Sequence, residues 1–197
     1  KASLSEVLQS WQGLGYNRRA KMLHQAAKES VMNYGGKFPK SVEELEAFPG
    51  IGPYTARAVA AFVYNQDVVV IETNIRTVVI EHFFQNQKKI TDREVEKILM
   101  QIPPKGRARE WYSALMDYGA YLKRSGISHT ARSRHYATQP KFAGSLREVR
   151  GAILRELAKG SRVERSLTRL FDIDRIPQVY QALEALTTEG LIQKRGK

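Results

Sequence analysis

The stretch LEAFPGIGPYTARAVAAF, from Leu45 to Phe62, admits one local structure: a short helix, a tight turn at Pro49-Gly50-Ile51-Gly52, and a second helix opening at Pro53. Proline is tolerated at the first helical position, where its missing N–H would have had no partner. Ala56, Val59, Ala60 and Val63 then recur at i, i+3, i+4 and i+7, which makes one helical stripe. Gly50 and Gly52 both admit positive φ and carry no Cβ, and the first N–H groups of the Pro53 helix have no intrahelical acceptor. The turn therefore offers backbone donors to an anion such as a nucleic-acid phosphate. An ordinary αα-hairpin closed by glycines has the same pattern, so the choice rests on the remainder of the chain.

That remainder is basic. A formal charge of +12 and a pI near 10.0 favour a polyanionic partner, nucleic acid rather than membrane, since no basic amphipathic helix stands out. With 42% hydrophobic residues in 197, the chain can bury a core as one large or two small domains. It has no cysteine, which excludes disulfides, thiolate zinc sites and a cysteine-held iron–sulfur cluster, and no cofactor is expected. His24, His82, His129 and His135 are too scattered to suggest a ligand set. Without a membrane-spanning run or a signal-peptide pattern, the expected location is the cytoplasm, at the nucleoid. The sequence opens at Lys1 directly in an amphipathic helix, as a fragment of a longer chain would.

The first two thirds read as short helices punctuated by glycine and proline, so the expected class is mainly α. Helices are predicted to end near Ser10 and to run over 20–34, from a capping box at Ser41 and Glu44, and over 73–84, 92–101 and 109–122. Val68 to Ile71 is the one β-branched run. From Tyr118 through Arg147 no acidic residue follows, while Lys123, Arg124, Arg132, Arg134, Lys141 and Arg147 do, and this basic loop is expected to lie along a phosphate backbone or to serve as a solvated linker. Beyond Ser145, Leu146, Val149, Ile153, Leu154 and Leu157 form one stripe, Leu167, Leu170 and Phe171 close a second helix, and Ile176, Val179, Leu183 and Leu186 form a third. Leu191 and Ile192 lead to Lys194, Arg195 and Lys197 as a β-wing would. The tail is thus a winged helix-turn-helix with Arg175, Gln178 and Gln181 facing DNA, or else a small helical packing domain.

Five segments in order, WQGLGYNRRAKMLHQAA, GGKFP, LEAFPGIGPYTARAVAAF, VVVIETNIRTVV and ALMDYGA, resemble the helix-hairpin-helix base-excision DNA glycosylases of the endonuclease III type, most closely the MutY-type adenine glycosylases. The resemblance spans residues 4–122. It implies a helix-hairpin-helix glycosylase domain over 1–122, and the pattern of the residues beyond it adds a basic linker over 123–144, in place of the family's iron–sulfur loop, and a winged-helix-like domain over 145–197. It also implies a monomer acting on double-stranded DNA with a mismatched or damaged base, which is flipped out and cut from its sugar. The implied DNA contacts are Leu14, Gly15, Tyr16 and Arg18 in the first segment, Pro49, Gly50, Ile51, Gly52 and Thr55 in the hairpin, and Asn74.

The family's catalytic aspartate, in Asp-Gly-Asn, falls at Glu72 of Glu72-Thr73-Asn74. A carboxylate just before a helix is favoured by the positive helix end and can stabilise an oxocarbenium-like sugar as the base leaves. One extra methylene moves it by about 1.5 Å, which Thr73 in place of glycine has to compensate. Tyr54 stands where strand-nicking relatives carry a nucleophilic lysine, and a phenol forms no Schiff base, so the implied enzyme is monofunctional, with Tyr54 as its second catalytic residue. Leu14 and Tyr16 match the loop that wedges beside the orphaned base, where an aromatic ring offsets lost stacking.

Three departures stand against the resemblance. The cluster cysteines expected after ALMDYGA are replaced by YLKRSGISHTARSRHYATQPKF. The glutamate that protonates adenine is expected upstream of Lys1, and the tail stands where the family places a domain reading 8-oxoguanine. The expected activity is removal of adenine opposite guanine or 8-oxoguanine. A thymine or uracil mismatch glycosylase, and a DNA-binding protein that has lost catalysis, remain as alternatives.

Overall fold

The structure is a computed structural model that describes residues 1–134 and 141–195. Positions 135–140 of the expected linker, His135 among them, and Lys197 of the expected wing lie outside the described residues. Among the described residues ten α-helices follow in chain order: α1 Leu4–Ser10, α2 Arg18–Tyr34, α3 Val42–Glu46, α4 Pro53–Phe62, α5 Thr73–Phe83, α6 Asp92–Leu99, α7 Ala108–Arg124, α8 Leu146–Ala158, α9 Glu164–Thr168 and α10 Ile176–Thr188. No strand forms among the described residues. Val68 to Ile71 forms no regular element, and an isolated parallel bridge joins Ile90 to Ser133.

Packing groups these helices into two compact units, Lys1–Gly36 with Gln139–Lys197, and Lys37–Thr138. This grouping follows contacts, whereas the division at 122 and 145 follows motif resemblance, and the two need not coincide.

In the second unit, α5 buries Ile75, Thr77, Val78, Val79 and Ile80 and packs along α7, which buries Ala108, Tyr112, Leu115, Gly119 and Leu122. Each fully buried Ile or Leu in such a core contributes about 1.5 to 3 kcal/mol. Thr77 is tolerated there because its hydroxyl donates to the Thr73 carbonyl at 2.9 Å. Helix α4 leans on α3 through Leu45, Ala56 and Ala60, whose small side chains let the two hairpin helices approach closely. The fourth member of the predicted stripe, Val63, is exposed instead, because α4 ends at Phe62. Ser41 forms half of its predicted capping box: its hydroxyl accepts the Glu44 N–H, while the Glu44 carboxylate takes the hydroxyl proton and not the Ser41 N–H.

In the first unit, Val149, Ile153, Leu167, Val179, Ala182, Leu186 and Leu191 form the core of α8, α9 and α10, with Leu8 of α1 packed against it. The predicted apolar stripes thus do meet. The predicted DNA-facing side chains do not all face outward. Arg175 is turned inward, with its guanidinium 3.0 Å from the Glu148 carboxylate, 3.1 Å from Gln178 Oε1 and stacked on Phe171 at 4.8 Å, so it fastens α10 to α8. Gln178 is half-buried and Gln181 exposed. Among the described residues, Leu191 to Arg195 forms no strand, and Lys194 pairs with Glu164 at 2.9 Å.

Candidate nucleic-acid and catalytic site

The hairpin turn is built as its glycines dictate, with one correction. Gly50 takes the left-handed conformation at φ 76°, while Gly52 is extended at φ −96° and ψ 178°, a backbone open to any residue. A Cβ on Gly52 would also meet nothing within 4 Å. Neither conformation nor packing therefore requires glycine at 52. Gly52 caps α4 without a side-chain hydrogen bond, and Pro53 opens the helix, so the first free N–H groups belong to Tyr54 and Thr55, both exposed. Pro49 and Ile51 are half-buried and hold the turn against the α3–α4 core.

Glu72 is the N-cap of α5. Its backbone is extended, at φ −128° and ψ 170°, and both carboxylate oxygens accept the Asn74 N–H, at 2.7 and 2.6 Å. The longer side chain therefore curls back onto its own helix start, which shortens its effective reach relative to an extended glutamate. Asn74 is held from the other side, since the Lys123 ammonium donates to its Oδ1 at 2.7 Å. Burial holds that ammonium below the ordinary lysine value, with the Glu72 charge opposing and Arg76 reinforcing. Arg76 itself is tied to Asp92 by two bonds of 2.8 and 3.0 Å. Tyr54 completes the group: burial, and behind it the Glu72 charge, pushes its hydroxyl above the ordinary phenol value. Tyr54, Glu72, Asn74 and Lys123 thus share one electrostatic neighbourhood built from α4, α5 and α7. Sequence reasoning counted Lys123 in the basic segment and missed its bond to Asn74. Its signal was position alone, in the basic segment that follows ALMDYGA.

Leu14, Gly15, Tyr16 and Arg18 belong to the other unit. Leu14 is 64% exposed and Tyr16 55%, so neither side chain belongs to a core. Tyr16 also adopts φ 49°, between Gly13 at 87° and Gly15 at 67°. A left-handed aromatic residue costs about 1 to 2 kcal/mol and persists only where its surroundings impose it. Here the Trp11 indole donates to the Gly15 carbonyl at 2.9 Å and the Arg19 N–H to the Tyr16 carbonyl at 2.8 Å. An aromatic ring held out into solvent by a strained loop has the form of a wedge. Arg18 is exposed beside it and adds to the positive field around Glu189.

The segment after α7 does not suit an iron–sulfur cluster. Such clusters need thiolates, and this chain has none. The described part of the segment is held by protein groups. The Arg132 guanidinium donates to the carbonyls of Phe84 and Gln87, His129 pairs with Glu81, and Ile90 exchanges backbone bonds with Arg132 and Arg134 at 2.9 and 3.0 Å. Among the described residues no cluster of three or more His, Asp or Glu could hold a metal ion, and no helix is long and apolar enough to cross a membrane.

The helix-hairpin-helix motif family matches residues 33–62, the segment that ends with α4. The adenine DNA glycosylase of Mycolicibacterium smegmatis is 33% identical over 98% of this chain and 72% of its own length. That of Mycobacterium tuberculosis is 32% identical over 98% of this chain and 70% of its own. The human adenine DNA glycosylase is 41% identical over 39% of this chain and 14% of its own. The mycobacterial alignments run through nearly the whole chain, so the tail is shared with those relatives.

Proposed function

The chain belongs to the MutY-type adenine DNA glycosylases, hydrolases of the N-glycosidic bond, and on that premise we propose that it removes adenine mispaired with guanine or 8-oxoguanine from double-stranded DNA, as a monofunctional monomer acting at the nucleoid. The observation that carries this reading is Glu72, fixed at the positive end of α5 within electrostatic reach of the hairpin residue Tyr54.

In the proposed reaction the hairpin backbone at 50–55 takes a phosphate, and the wedge loop fills the space left by the flipped adenine. As the bond to adenine breaks, positive charge grows on the sugar, and the Glu72 carboxylate stabilises it without first having to reorient. The Asn74 N–H holds the carboxylate in place and the Lys123 ammonium holds the Asn74 side chain, which keeps the field aimed at one point. Water supplies what remains: its oxygen bonds to the sugar carbon that adenine leaves and its proton goes to the released adenine nitrogen, so the hydrolysis balances without a proton from Glu72. Tyr54 contributes shape and field and no covalent bond, since a phenol forms no Schiff base.

The test is a single-turnover assay on duplexes containing adenine opposite guanine or 8-oxoguanine, with product strands separated before and after alkali. Free adenine and an abasic strand that breaks only with alkali are expected. Absence of adenine release from both duplexes would overturn the proposal. Strand scission without alkali would overturn its monofunctional part and direct attention to the Lys123 amine.

A further inference from the structure

The α5–α7 pair carries three exposed rings in a row. His82 lies in the last turn of α5, and Tyr118 and Tyr121 stand one turn apart on α7, off the stripe that buries Tyr112, Leu115, Gly119 and Leu122. The His82 and Tyr118 rings are 5.7 Å apart between centres and within 28° of parallel, and the Tyr118 and Tyr121 rings 6.4 Å apart and within 17°. His82 Nε2 and the Tyr118 hydroxyl lie 3.0 Å apart, a bond that fixes the middle ring. Tyr121 ends the row and is 57% exposed. A single exposed tyrosine is ordinary, but an aligned row on two helices joined by a common core is a rigid, preformed surface.

The charge around the rings is positive. Arg124 follows Tyr121 by three residues, exposed and on the same side of α7, and the loop after α5 exposes Lys88 and Lys89. Of the carboxylates close by in sequence, Glu81 is paired with His129. Asp117 precedes Tyr121 by one turn, and after it no acidic residue occurs before Glu148. A polyanion meeting the row is therefore drawn toward the Arg124 end of α7.

We propose that His82, Tyr118 and Tyr121 form a stacking platform for the unpaired bases of single-stranded DNA, with Arg124 taking a phosphate beside them. Rings recognise base faces, and a duplex hides those faces inside its stack and offers only base edges in its grooves. Exposed rings beside cations therefore match a strand whose bases are free, and they accept any base because each has a π-face. All the residues involved belong to one compact unit, and none takes part in the proposed adenine removal.

The test is fluorescence anisotropy of the full chain, at fixed salt, with two labelled single strands of equal length. One is thymidylate, and the other is built of tetrahydrofuran abasic units, which keep the phosphates and lack bases. The parent is expected to prefer thymidylate. Tyr121→Ala should weaken thymidylate binding roughly tenfold and leave the abasic strand unchanged, while Tyr121→Phe keeps the ring and should bind as the parent does. Arg124→Ala should weaken both strands alike and lower the salt dependence. Equal affinity of the parent for the two strands, or thymidylate binding that Tyr121→Ala leaves intact, would overturn the proposal and leave this face to a protein partner. So would a loss in Tyr121→Phe as large as in Tyr121→Ala. Photocross-linking of the unaltered protein to an iododeoxyuridine strand needs no variant to fold: adducts at Tyr118 or Tyr121 are expected, and adducts confined to other segments would overturn the platform. Adenine release, assayed separately on mismatched duplexes, should survive Tyr121→Ala. A parent that binds the single strand but releases no adenine overturns the proposed reaction alone.

Discussion

The Cα of Gly119, on α7, faces the backbone of Asn74 so closely that a methyl group there would lie 2.3 Å from the Asn74 carbonyl oxygen and 2.6 Å from its carbonyl carbon. Through Asn74 this contact fixes the start of α5, and with it the position of the Glu72 carboxylate. The glycine of ALMDYGA is therefore a spacing device for the proposed catalytic group.

Gly119→Ala pits two effects against each other. Helix propensity favours alanine by about 1 kcal/mol, while forcing a methyl into backbone costs about 1 to 3 kcal/mol. Because the obstacle is main chain and not the end of a flexible side chain, the clash should win. A lower melting temperature together with slower adenine release is expected, and a stabilised, fully active variant would refute it.

Glu72→Gln keeps the shape and loses the charge. Loss of one aimed electrostatic group costs about a hundredfold to a thousandfold, so single-turnover adenine release should fall by that much while DNA binding persists. Glu72→Asp should also be slower, since the side chain here curls back onto Asn74 and a shorter one no longer reaches the same point. Aspartate faster than the parent would show that the glutamate is a defect.

Gly52→Val tests the phosphate cradle without testing the fold. Its extended backbone and the open space around it predict an unchanged melting curve, but the isopropyl group should block an approaching phosphate and weaken binding to all duplex sequences alike. Affinity of the parent should fall steeply with salt, as phosphate contacts require. Unaltered binding by the valine variant would return the hairpin to an ordinary turn.

The tail unit should loosen in acid. Glu189 accepts two bonds from Arg150, at 2.9 and 2.6 Å, and this pairing holds its carboxyl below the ordinary 4.5. Glu148 is lowered likewise, first by the Gly144 N–H and then by Arg175. Depressed carboxyl values mean that the stabilisation is present in full above about pH 4.5 and is lost as the pH falls through the folded values. Arg150→Met should lower stability by about 1 kcal/mol at neutral pH, since the pair is only partly buried, and flatten the acid limb of melts taken from pH 6 to pH 3.

The clamp after α7 predicts independence from metal. Chelator should leave the melting temperature unchanged, whereas Arg132→Met, which strands the carbonyls of Phe84 and Gln87, should cost about 2 kcal/mol. A chelator-sensitive melt would contradict the protein-only clamp.

The sequence by itself determined whatever depends on local spacing. Helix positions followed from apolar periodicity and capping residues, the hairpin from its glycines and Pro53, and the candidacy of Glu72 from the resemblance of Glu72-Thr73-Asn74 to the family's motif. The absence of cysteine removed the thiolate ligands before any coordinates were needed. Only the tertiary structure decided contacts between residues distant in the chain. It turned Arg175 inward onto Glu148, set Lys123 on Asn74, brought Arg147 to Tyr16, and showed that Gly52 is not required by its own backbone. The physical reason is the same throughout. Periodicity records which side of an element is buried, but where a long charged side chain ends depends on what packing places within its reach.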